Sequence, residues 1–197
     1  PNPTYSIAIC DSEGESITSM VGGALIVNTL DNRLNPRDGF YLRSDTSIAG
    51  LGGDVSFIRN RTEFRAYREI LPSAGLVGMV KAEGGVVSSL DDDLRVQDQF
   101  FVGGGTIRGF ESSGIGPRDR RTGDALGGRY MVAATAEALV PVPLLPPEIG
   151  ITGAGFVDAG SLWGADPDII RRNGGAGSVE SDDFDLRVSA GFGLQWA

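Results

Sequence analysis

The residues best placed to do chemistry are an arginine and an acid. Arg108 lies in the run Gly103-Gly104-Gly105-Thr106-Ile107-Arg108-Gly109-Phe110, between glycines and an aromatic, at the start of a long irregular segment. Asp158 lies in Phe156-Val157-Asp158-Ala159-Gly160, a carboxylate inside an otherwise apolar, alternating run. A guanidinium on a glycine-bounded loop and an acid on a strand wall can form a charge-assisted, bidentate pair. Such a pair would pin a loop inside a polar cavity. The competing reading of Arg108 taken alone is a solvated loop arginine.

Other chemistry finds little support. With no histidine in the chain, the usual general base and the commonest metal ligand are missing. Ser112 and Ser113 therefore have no partner for a Ser-His-Asp triad. Cys10 is the single cysteine, which rules out an internal disulfide or a cysteine metal cluster. The glycine triplet 103–105 lacks the Gly-Lys-Ser/Thr continuation of a phosphate loop. Asp91, Asp92 and Asp93 with Asp98 lack the glycine and spacing of an EF-hand and read as a solvated loop. Arg118-Asp119-Arg120-Arg121 reads as a mixed-charge exposed loop, with contact to phosphate groups as the alternative. A net charge of −9 argues against a nucleic-acid partner. No enzyme activity, cofactor or metal is implied.

The elements that must position Arg108 and Asp158 are strands. Two-residue alternation dominates, most cleanly over 184–197. There Leu186, Val188, Ala190, Phe192, Leu194 and Trp196 share one face, and Asp185, Arg187, Ser189, Gly191, Gly193 and Gln195 the other. Over 127–143, Tyr130, Val132, Ala134, Ala136, Ala138 and Val140 oppose Thr135 and Glu137. Over 149–162, Ile151, Gly153, Gly155, Val157 and Ala159 oppose Thr152 and Asp158. Weaker alternation predicts strands over 39–50, 54–70 and 74–88. It places Tyr41, Arg43, Asp45 and Ser47 on one side, and groups Lys81 and Glu83 with Met79 and Val77. Segments 16–30 and 4–10 read as further strands, the second short, and no helix of useful length is signalled.

These strands exceed the usual globular length of about five to six residues. Their connections alternate between compact turns (28–39, 71–73, 142–147) and longer polar, glycine-rich segments (91–126, 163–183), with 50–53 the one short member of the second set. Long alternating strands with short turns on one side and long loops on the other describe a transmembrane β-barrel. Trp163 and Trp196 suit its aromatic girdles, although ordinary packing would serve Trp163 equally. A soluble β-structured binding protein is the alternative from another class, and would more often show shorter strands at regular spacing. The chain starts without Met and shows no signal peptide and no apolar run long enough for a membrane helix, so it reads as part of a longer protein.

The motifs also carry a resemblance. Phe100-Phe101-Val102-Gly103-Gly104, Thr106-Ile107-Arg108-Gly109-Phe110 and Gly114-Ile115-Gly116-Pro117-Arg118-Asp119 resemble the sixth external loop of the Omp85 superfamily, with its Val/Ile-Arg-Gly-Phe/Tyr signature. Phe156-Val157-Asp158-Ala159-Gly160 resembles that family's Phe-x-Asp-x-Gly strand motif, and Asn35-Pro36-Arg37-Asp38-Gly39 one of its periplasmic turns. The similarity extends over nearly the whole chain.

The resemblance implies an all-β fold forming part of a sixteen-stranded antiparallel transmembrane barrel, about seven strands of its second half. Residues 1–197 would be one partial barrel domain, with a long external loop at about 91–126 and with the POTRA domains and remaining strands outside the chain. It further implies that the loop folds into the lumen, where Arg108 meets Glu137 and Asp158. Ile107, Gly109 and Phe110 would shape and anchor the tip, and Phe156 and Gly160 would belong to the receiving wall. The implied function is assembly: insertion and folding of client β-barrel proteins in the outer membrane of a Gram-negative bacterium. Its partners would be those clients, accessory assembly lipoproteins, outer-membrane lipids, and periplasmic chaperones acting through the POTRA domains. A secretion transporter or a TamA-like factor of the same superfamily is the alternative.

Overall fold

The computed structural model describes residues 5–12, 15–50, 52–90, 94–142 and 150–196. Its strands are β1 (Met20–Asn28), β2 (Gly39–Ala49), β3 (Phe57–Leu71), β4 (Leu76–Ser89), β5 (Arg118–Asp119), β6 (Tyr130–Pro141), β7 (Ile151–Trp163), β8 (Val179–Glu180) and β9 (Arg187–Trp196). Seven of them make one sheet in the order β1-β2-β3-β4-β6-β7-β9, and β5 pairs with β8. Every pairing is antiparallel. The long strands run from nine to fifteen residues, enough for a tilted strand to cross a bilayer, which takes about 9–11.

Side-chain parity divides the sheet into two unlike faces. The inner face, on which the segment after β4 packs, carries the charges. Arg43 holds Asp45 at 2.7 Å, Arg65 holds Glu63 at 2.8 Å, and Lys81 lies 3.2 Å from Glu83, whose other oxygen accepts from Arg61 Nε at 2.6 Å. The outer face carries Val21, Leu25, Val80, Val157, Phe192 and Leu194, all exposed. That inversion of the soluble pattern suits a wall with lipid outside and water inside. Ser44, Thr46, Asn60 and Thr62 interrupt the outer face, yet bond to one another: Ser44 to Thr62 at 2.8 Å, and Asn60 Nδ2 to Thr46 at 2.8 Å. Trp163 also faces outward, with its ring 5.8 Å from Tyr130 and 5.0 Å from Phe184.

The compact turns have local causes. Asp31 Oδ1 accepts from the backbone N–H groups of Arg37 and Asp38, closing the β1–β2 connection and holding the Asp31 carboxyl below its ordinary pKa. Pro72–Ala74 forms a single 3₁₀ turn between β3 and β4. Most of the proline-rich turn at 142–147 and all of Asp91-Asp92-Asp93 lie outside the described residues.

One expected strand is corrected. Within 4–10, residues Ile7–Cys10 form a short helix, α1, whose Ser6 Oγ accepts from the N–H of Ile9. The capping serine and the docking of Ala8 outweigh a brief apolar alternation. The long connections are also more ordered than expected: Pro167–Arg172 is a helix, α2, capped by Asp166 and opened by Pro167. Ala8, Val96, Leu126, Ile169 and Val179 then bury one another in a second apolar cluster, apart from the sheet. Among the described residues no helix is long and apolar enough to cross a membrane.

Candidate functional site

The segment between β4 and β6 turns back against the inner face of the sheet. Phe100, Val102, Ile107 and Ile115 join Phe57, Val87, Met131 and Leu162 in one buried cluster, with Phe110 packed at its margin. The tip closes on itself: Gly104 N–H donates to Glu111 O at 3.1 Å, and Thr106 and Ile107 both donate to Gly103 O at 2.8 Å. Gly109 adopts φ +89°, a conformation that strains any residue with a Cβ, and so turns the chain directly after Arg108. Ile107 is fully buried. Gly160 makes room for it, since a Cβ there would lie 2.6 Å from Ile107 Cδ1.

With Ile107 seated, Arg108 is aimed at the wall. Its backbone N–H donates to Asp158 Oδ2 at 3.0 Å, Nε to the same oxygen at 2.7 Å, and Nη2 to Oδ1 at 2.9 Å. Nη1 donates to Glu137 Oε2 at 2.6 Å. The guanidinium also lies over the Phe156 ring, 3.4 Å from its centroid. Thus one arginine spans β6 and β7, whose register places Glu137 opposite Phe156 and Asp158 opposite Thr135.

Burial gives this contact its weight. The Glu137 and Asp158 side chains are 3% and 1% exposed, against 35% for Arg108. Two carboxylates so far from water need a cation, and a planar fork with several donors serves both better than an ammonium. Removing one partner of a fully desolvated pair costs about 3–5 kcal/mol. The Arg108 side chain keeps 35% of its surface exposed, and solvent screening lowers that figure.

Ile107, Arg108, Gly109, Phe110, Glu137, Phe156, Asp158 and Gly160 are therefore brought together at one place. Reading the sequence missed Gln195, whose Nε2 donates to Glu137 Oε1 at 2.5 Å. Alternation puts Gln195 on the inner face, but nothing local marks it as a partner. Arg118 turns inward to loop carbonyls, donating to Gly123 O at 2.7 Å and Ser113 O at 2.6 Å. Among the described residues no cluster of acids, cysteine or histidine has the arrangement to hold a metal ion.

An antiparallel sheet of membrane-spanning strands, apolar outside and charged inside, with an arginine loop clasped to its inner wall, defines a sector of an outer-membrane type β-barrel. The model of the Omp85 superfamily domain matches residues 1–197, and the chain belongs to that superfamily. It is 33% identical over 189 residues to the outer membrane protein assembly factor BamA of Neorickettsia risticii, covering 96% of this chain and 24% of that protein. It is 31% identical over 169 residues to the human sorting and assembly machinery component 50 homolog, covering 81% of this chain and 34% of that one. In fold it matches the crystal structure of BamA from Haemophilus ducreyi lacking POTRA domains 1–3, with a TM-score of 0.74 and 23% identity over 90% of this chain and 36% of that one. The chain thus spans about a quarter of the length of the first of these relatives.

Proposed function

We propose that this chain is a sector of the barrel of an outer-membrane assembly factor, which inserts and folds client β-barrel proteins without enzymatic chemistry. The family match over the whole chain, together with relatives that are themselves assembly factors, supports this reading. In it, further strands complete the sheet to a barrel, of sixteen strands as the family resemblance implies: among the described residues β1 and β9 each have one neighbour in the sheet, and an open edge in lipid leaves backbone groups unpaired. Accessory lipoproteins, outer-membrane lipids, and chaperones meeting POTRA domains would be its other partners, in the outer membrane of a Gram-negative cell.

The role assigned to Arg108 is to brace the barrel. Held by both wall carboxylates, the loop tip fills the space inside the sheet and ties β6 to β7 by side chains as well as by the backbone ladder. The clasp of Arg108 on Glu137 and Asp158 is the observation that carries this assignment. The test is Arg108→Ala in the full-length protein, expressed in cells depleted of the native copy. Client barrel levels in the outer membrane should fall, and the barrel should lose its resistance to unfolding in warm detergent. Unchanged client levels and an unchanged gel shift would defeat the assignment.

A further inference from the structure

Strand β9 contributes to the clasp through a residue that neither motif contains. Arg108 Nη1 occupies Oε2 of Glu137 at 2.6 Å, and Gln195 Nε2 occupies Oε1 at 2.5 Å. Gln195 pairs in register with Thr152 while Glu137 pairs with Phe156, so the amide reaches diagonally across β7 to a strand that β9 does not touch in the ladder. The same face of β9 is shaped for the site at Gly191, where a Cβ would lie 2.7 Å from Phe156 Cζ, the ring that carries the Arg108 guanidinium.

We propose that Gln195 is a positioning residue of the loop clasp: it orients Glu137 toward Arg108 and extends the clasp from two wall strands to three. The inference rests on reading the Arg108 contact as a brace. An uncharged donor is what this position requires. Glu137 is almost fully buried, so its second oxygen needs a partner once it leaves water. A lysine at 195 would compete with Arg108 for the carboxylate, and a glutamate would set two carboxylates in contact.

The requirement can be inverted. In the double variant Gln195→Glu with Glu137→Gln, the amide at 137 would donate to the acid at 195 while its carbonyl oxygen still accepts from Arg108. The net charge of the protein is unchanged. Loop seating is read as the rate of trypsin cleavage after Arg108 in the full-length protein, resolved by fragment mass. Gln195→Glu alone should raise that rate about tenfold, the equivalent of one lost hydrogen bond to a charged group, and the double variant should recover most of the protection. Cleavage of Gln195→Glu at the wild-type rate, or a double variant as exposed as Gln195→Glu, would overturn the proposal. Should Gln195→Glu yield no folded barrel, Gln195→Met keeps the volume without the donor. It should also raise cleavage, and wild-type protection would overturn the proposal equally. Client levels in the same variants separate the two ideas: cleavage that follows this pattern while assembly never changes would refute the functional brace and leave the positioning role standing.

Discussion

At the scale of the residue, the division of labour between the two acids is unequal. Asp158 accepts from the backbone N–H, Nε and Nη2 of Arg108, whereas Glu137 accepts from Nη1 and shares its burden with Gln195. Neutralising them should therefore have unequal effects. Asp158→Asn turns an acceptor into a donor facing donors, and should destabilise the barrel by about 2–4 kcal/mol. Glu137→Gln keeps a carbonyl for Arg108 and should cost about 1–2 kcal/mol. Thermal unfolding of the detergent-solubilised full-length protein, followed by the gel shift between folded and unfolded forms, measures both. Equal losses would mean that the arginine does not discriminate between them.

At the scale of the element, strands were far more legible than the loops above them. Alternation from Leu186 to Trp196 and from Tyr130 to Val140 locates β9 and β6, because a two-residue period admits no helix and fixes which side each residue faces. The same parity places Glu137 and Asp158 on the polar face from the sequence alone. It could not set distances, so the diagonal reach of Gln195 and the seating of Arg108 on Phe156 stayed hidden. The helix Ile7–Cys10 stayed hidden for another reason: its stability comes from Val96, Leu126 and Ile169, distant in sequence. The external segments also bury Asp166 and half-bury Asp182, and desolvation raises the pKa of both above the ordinary carboxylate value. A raised folded-state pKa means stability that is complete below the unfolded value and is lost as pH rises through the folded one. Asp182→Asn keeps an oxygen to accept from Ala165 N–H, a bond of 2.6 Å, and removes the half-buried charge. It should raise the thermal midpoint at neutral pH, with the gain fading as pH falls to about 4. A gain that persists at low pH would assign the effect to something other than ionisation.

At the scale of the whole molecule, two requirements meet in one sheet. The outer face must present apolar side chains to lipid, and even its polar group at Ser44, Thr46, Asn60 and Thr62 satisfies itself internally. The inner face must hold charges that water alone does not neutralise, and it does so with ladders along β2, β3 and β4 and with the loop clasp on β6, β7 and β9. In the proposed role, the barrel must stay intact while clients fold beside it, and a loop clasped to β6 and β7, with Gln195 of β9 behind Glu137, would serve that need. In the proposed function, assembly depends on the contact between Arg108 and the wall. Its most direct test is charge reversal in the full-length protein, Arg108→Glu and Asp158→Arg, singly and together, scored by outer-membrane client levels in cells that lack the native copy. Each single change should depress client levels and the pair should restore them; single changes with wild-type client levels would contradict the proposed role of Arg108.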